Sequence, residues 1–153
     1  MVDYFDYLCD LMCGEPEDID EEAFVALNTD IKSRDEIIFS DGYVKDKYYP
    51  GGIRKYTGLN VDKLRMLIDQ NFADEDERQN ECPSIGEIYK FMQKHPSFTA
   101  HGYTVDIARD DYRVSIEGVD KGGEMTVEEF HDFVILFRCA DEFDIERGFC
   151  WYD

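Results

Sequence analysis

The sequence predicts a single α+β domain spanning residues 1–153, with about five helices packed on a small antiparallel sheet whose centre is a β-hairpin at about residues 98–119. Three observations carry this. Tyr103, Val105 and Ile107 alternate with polar residues, and so do Tyr112, Val114 and Ile116, which is the two-residue period of paired strands. Two capping boxes, Ser84–Glu87 and Thr126–Glu129, each open an apolar run at helical spacing. Finally, 43% hydrophobic and 14% aromatic residues in a 153-residue chain are enough to build one core.

In chain order, residues 3–13 read as an amphipathic helix, with Phe5, Leu8, Cys9 and Met12 on one face, stopped by Gly14 and Pro16. Asp20 caps a second, short helix, and Glu21 and Glu22 lie in its first turn, where the helix dipole favours negative charge. Asp41-Gly42, between Ile37-Ile38-Phe39 and Tyr43-Val44, is a hairpin signal. The stretch from Tyr43 to Tyr56 reads as a basic and aromatic loop turning at Pro50-Gly51-Gly52. Asn60 caps a helix carrying Val61, Leu64, Leu67 and Ile68, which ends near Phe72. Asp74 to Glu81 is a polar, acidic connector and the segment expected to be most mobile. The Ser84 helix ends at His95-Pro96. The Thr126 helix runs to about Asp141, with Met125 placed to staple against Phe130. Phe149 to Tyr152 forms a last short strand.

Charge sets this chain apart: 36 acidic against 16 basic residues, a net −20. Residues 1–30 hold ten acids and no base, and residues 98–153 hold fourteen acids against five bases. Such a surface repels nucleic acid and anionic membranes and attracts basic proteins. No run of about 18 apolar residues is present to span a bilayer. The start lacks a secretory signal, and five cysteines, an odd number, suit a reducing compartment, so a cytoplasmic protein with free thiols is expected.

Asp120 to Phe130 resembles the second half of an EF-hand loop, with Glu129 at the bidentate position. Gly118 and Gly122 fall where carboxylates are needed, however, and the preceding segment reads as a strand, so calcium is not expected. Cys9 and Cys13 lie one helical turn apart, but the remaining Cys and His residues are scattered singly, which disfavours zinc. His131 and Cys139 are more than two turns apart on one helix, too far for a nucleophilic pair. No phosphate-loop, dinucleotide, nucleophile-elbow or zincin motif occurs. No metal or cofactor is implied.

The function expected is therefore binding, without catalysis. Asp18, Asp20, Glu21, Glu22, Asp74, Glu75, Asp76, Glu77, Asp110, Asp111, Glu128 and Asp132 are the candidate contact residues. Duplex DNA carries one charge per about 1.7 Å of axis, and carboxylates dispersed over a rigid face can imitate it. In charge and size the chain is similar to the acidic inhibitors of phages and mobile elements, of anti-CRISPR or anti-restriction type, which occupy the basic grooves of nucleic-acid-binding enzymes. The expected partner is such a basic protein surface, with no direct contact to nucleic acid or membrane, and the chain is expected to act as a monomer or dimer. Two alternatives stand beside this: an accessory interaction subunit with a merely solvated acidic surface, recognisable by an apolar patch with Trp151 and nearby aromatics, and a small cysteine-dependent enzyme.

Overall fold

The computed structural model describes residues 26–153, which form an α+β domain with four α-helices and a five-stranded antiparallel sheet. The two helices expected over residues 3–13 and after Asp20 lie outside the described residues. The elements are α1 (Ile31–Ile38), a short 3-10 turn (Lys45–Tyr48), β1 (Ile53–Leu59), α2 (Val61–Asp69), α3 (Ile85–Lys94), β2 (Thr99–Val105), β3 (Val114–Asp120), α4 (Val127–Phe137), β4 (Glu142–Asp144) and β5 (Phe149–Trp151).

The strands lie in the order β1-β2-β3-β5-β4, so the expected hairpin, β2 with β3, holds the middle of the sheet. Its register runs from Thr99 opposite Asp120 to Thr104 opposite Val114, with a bulge beside His101. Gly102 belongs to this approach, because a Cβ there would lie 2.1 Å from the Ser115 carbonyl oxygen. The core draws on every layer. Leu64 and Leu67 of α2, Ile85 and Ile88 of α3, Phe133 and Phe137 of α4, and Ala100, Ile116 and Val119 of the sheet are buried together. Each of the leucine, isoleucine, valine and phenylalanine side chains contributes about 1.5–3 kcal/mol relative to exposure.

The capping residues act as their sequence implies. Asn60, Ser84 and Thr126 accept from the third amide of α2, α3 and α4, and both capping boxes close reciprocally. Helix α3 ends at Lys94, and a last strand forms at Phe149–Trp151, as expected.

Four expectations are corrected. Ile37 and Ile38 are the end of α1 and not a hairpin arm. Asp30 caps that helix, and its buried face is Ile31, Arg34, Asp35 and Ile38. The spacing is helical, but charged residues fill its two middle positions, so hydropathy alone hides it. The Asp41-Gly42 turn does form, with Gly42 at φ +66°, and it receives Arg54. That guanidinium donates to the Gly42 carbonyl at 2.9 Å and to Asp41 at 2.5 Å, and it stacks 3.5 Å over the Phe39 ring. Arg54 belongs to β1, which takes the last four residues of the expected loop at residues 43–56 as the edge strand beside β2, while the turn at Pro50-Gly51-Gly52 forms. Helix α4 stops at Phe137 and not near Asp141, because the Asp141 amide already donates to Trp151 and begins the β4–β5 pairing. Finally, Ser115 and Glu117, which alternation assigns to solvent, are buried. Gln79 and Trp151 cover them, the indole donating to Glu117 at 2.9 Å.

Candidate functional site

The acidic connector after α2 is built onto the N-terminus of α3. The first helical amide, at Ile85, donates to the Glu77 carbonyl at 2.9 Å, and the next, at Gly86, donates to the Glu75 carbonyl at 2.9 Å. The third is held by Ser84 Oγ. Helix amides that would otherwise lack partners thus fix the backbone of residues 75–77. The Asp74 side chain accepts from the Asp76 amide at 2.9 Å and turns the chain before it meets the helix. The first half of the segment expected to be most mobile, residues 75–77, is therefore pinned by backbone bonds.

Arg113 joins this connector to the turn between β2 and β3. Its guanidinium pairs with Glu77 at 3.2 Å and with Asp111 at 2.9 Å, and it donates to the Tyr103 hydroxyl at 2.7 Å. Asp74, Glu77, Asp111 and Arg113 line one shallow cleft with Leu27, Tyr112 and Val114. The structure therefore brings together two acidic runs that are more than thirty residues apart in sequence.

Within this face the carboxylates differ in character. Asp74, Glu75, Asp76 and Asp110 are exposed and have no ion-pair partner among the described residues. Asp111 is held below the usual carboxylate range by hydrogen bonds from Arg113 foremost and from Arg109. Burial pushes Glu77 upward, and the opposing pull of Arg113 does not cancel it.

Glu128 and Asp132 sit elsewhere. They lie on α4, whose N-terminus follows the Asp120 end of β3, whereas Asp111 adjoins the Val114 end, roughly 20 Å away along a seven-residue strand. Both pair with Lys94 at the end of α3, at 3.3 and 2.9 Å. Asp132 also accepts from His95 at 2.7 Å and from His131 at 3.1 Å. Hydrogen bonds from His95 first, then Lys94 and His131, hold Asp132 well below the usual carboxylate range. These two acids clamp α3 to α4. Asp18, Asp20, Glu21 and Glu22 lie outside the described residues.

The other polar clusters are internal. Glu129 has both oxygens engaged, one by Lys121 at 2.6 Å and the Thr126 amide at 2.9 Å, the other by Ser97 at 2.7 Å. Although burial works against it, these bonds lower its carboxyl to about 2. Among the described residues no group of three or more His, Cys, Asp or Glu side chains is placed to hold a metal ion. Cys82 and Cys150 are buried, and burial raises both thiols, that of Cys150 to about 12, while Cys139 is exposed. His101 is stacked on Phe149 and donates to the Cys150 carbonyl at 2.9 Å. No helix among the described residues is long and apolar enough to cross a membrane.

Two features escaped the sequence reading. Arg34 and Asp35 are both wholly buried, and they share a network with Tyr48, Thr104 and the Val105 carbonyl. The second is an apolar groove of about 550 Å³ beside the start of α4, lined by Met125, Val127, Phe130 and Ile145 with Glu124, Thr126 and Glu146. Of the apolar run at residues 130–137 only Phe130 lines it, and Ile145 comes from a segment distant in the chain, so it leaves little sign in the sequence.

Comparison with protein-family models, with curated proteins and with solved structures finds no match to this chain.

Proposed function

We propose that the protein is a non-enzymatic binding protein that presents a carboxylate face to a basic protein groove, in the manner of an inhibitor that imitates nucleic-acid charge. One observation carries this reading. Asp74, Glu75 and Asp76 are exposed, no base among the described residues pairs with them, and their backbone is fixed to α3 by the Ile85 and Gly86 amides. Side chains on a fixed backbone lose less freedom on binding than side chains on a floppy loop. Asp110 adds to the same side through the Arg113 link between Asp111 and Glu77. A net charge of −20 supplies long-range attraction toward a Lys- and Arg-rich partner.

The partner fitting this face is a nucleic-acid-binding enzyme, and the working place of the protein is the cytoplasm, where such enzymes meet their substrates. Binding in place of catalysis is favoured by the engagement of the polar groups: both oxygens of Glu129 are occupied, and the Cys82 and Cys150 thiols are buried and held protonated.

Capture from the native host with the immobilised full chain, followed by competition with duplex DNA, tests this. The reading expects a basic nucleic-acid enzyme that duplex DNA displaces and that the triple variant Asp74→Lys, Glu75→Lys, Asp76→Lys no longer retains. Capture that is indifferent to both the competitor and the charge reversal would overturn it.

A further inference from the structure

We propose that the groove beside α4 is a second docking site, one that accepts a basic amphipathic helix from a protein partner. This rests on the reading of the chain as a binding protein, but it uses a different surface and different forces from the connector face.

The floor of the groove is apolar and open to water. Val127 is 87% exposed, Phe130 42% and Ile145 49%, and Met125 lines the groove with them. Helix α4 already buries one stripe, Phe133 and Phe137, against the core. Val127 and Phe130 therefore form a second apolar row on a helix that needs only one, and their three-residue spacing makes a ridge against which another helix packs.

Both walls are held in place before anything binds. The Lys121 amide donates to the Gly148 carbonyl at 3.0 Å, and the Gly123 amide donates to Arg147 at 3.1 Å, tying the loop before α4 to the turn between β4 and β5. Gly148 permits the contact, since it has φ +71° and a Cβ there would lie 3.2 Å from the Met125 side chain.

The rim selects for positive charge. Glu124 and Glu146 line the groove, no basic residue does, and neither glutamate has an ion-pair partner among the described residues. The neighbouring bases are spoken for: Lys121 is paired with Glu129, and Arg147 with Asp120. A helix with an apolar stripe flanked by Lys or Arg would bury Val127, Phe130 and Ile145 and set its charges on Glu124 and Glu146. An acidic or merely apolar helix would leave those carboxylates repelled or stripped of water.

The probe is a peptide of about 16 residues made of leucine and lysine, with leucines at i, i+3, i+4 and i+7, beside a scrambled peptide of the same composition. Binding to the full-length protein is followed by fluorescence anisotropy and by NMR shifts. The patterned peptide is expected to bind at least about tenfold more tightly than the scrambled one, and to shift the Val127, Phe130 and Ile145 resonances. Val127→Gln, a neutral change at a site so exposed that folding is unaffected, and the double variant Glu124→Lys, Glu146→Lys should each weaken it by about tenfold or more. The connector variant Asp74→Lys, Glu75→Lys, Asp76→Lys should leave it unchanged. Equal binding of the scrambled peptide, indifference to both groove variants, or shifts that map to residues 74–76 would each overturn the proposal. Host capture that survives the connector reversal, with groove binding intact, would instead count against the nucleic-acid mimicry alone.

Discussion

The Gly86 amide donates to the Glu75 carbonyl at 2.9 Å, and a Cβ on Gly86 would lie 3.2 Å from that oxygen and 3.3 Å from the Glu75 Cβ. A glycine inside a helix ordinarily costs up to about 1 kcal/mol relative to alanine. Here it lets the acidic connector lie directly on the first turn of α3.

Enlarging residue 86 should therefore lift the connector. Gly86→Ala has its propensity gain offset by crowding and should change stability by less than about 1 kcal/mol. Gly86→Leu should destabilise the fold by about 1–3 kcal/mol and speed hydrogen exchange at residue 86. Urea unfolding and amide exchange measure both. A leucine variant with wild-type stability and protection would show that the contact is not tight.

The Arg34–Asp35 pair is wholly buried and bonded to Tyr48, Thr104 and Val105. Removing one partner strands the other charge away from water, so Arg34→Met or Asp35→Ala should each cost about 3–5 kcal/mol. The double variant should cost less than the sum of the two, because neither charge is then left alone. Additive losses, or single losses below about 1 kcal/mol, would contradict this account.

Acid should weaken the fold in two stages. Burial foremost lowers His101 below its ordinary 6.5, so the neutral imidazole is the form that suits the fold. Its contribution is complete above about 6.5, the unfolded value, and declines as pH falls below it. Glu129 is lowered from an ordinary 4.5 to about 2, so its contribution is complete above 4.5 and is lost as pH falls toward 2. Urea midpoints measured against pH should show both declines. His101→Gln should flatten the upper one and Glu129→Gln the lower. Profiles unchanged by these substitutions would place the acid sensitivity elsewhere.

Thiol chemistry separates binding from cysteine-dependent catalysis. With Cys9 and Cys13 replaced by serine, only Cys139 of the remaining three is exposed, and Cys82 and Cys150 are buried with raised pKa values. A disulfide reagent at neutral pH should titrate one thiol in the folded protein and three in urea. Rapid reaction of Cys82 or Cys150 in the folded state would favour the enzyme alternative.

Elements were legible in the sequence where their cause is local. The Ser84 and Thr126 boxes and the alternation from Tyr103 to Ile116 signal through residues only a few positions apart. Helix α1 and strand β1 were illegible because Arg34, Asp35 and Arg54 hold core-facing positions that pattern reading assigns to apolar residues, and their partners are distant in the chain. The acidic surface was legible as charge but not as availability. Asp111, Glu128 and Asp132 look like Asp74 and Glu75 in the sequence, yet the structure ties the first three to Arg113, Lys94 and His95. Ion pairing across the fold decides which carboxylates remain unpaired, and composition carries no record of it.

The most direct test of the central claim is the affinity of the captured basic partner for the wild-type chain and for the Asp74→Lys, Glu75→Lys, Asp76→Lys variant, at about 50 and about 200 mM salt. Free carboxylates on a fixed connector predict that the reversal weakens binding by about tenfold or more at low salt, that salt weakens the wild type, and that the variant loses most of that salt dependence. Affinity that ignores both the reversal and the salt would contradict the claim.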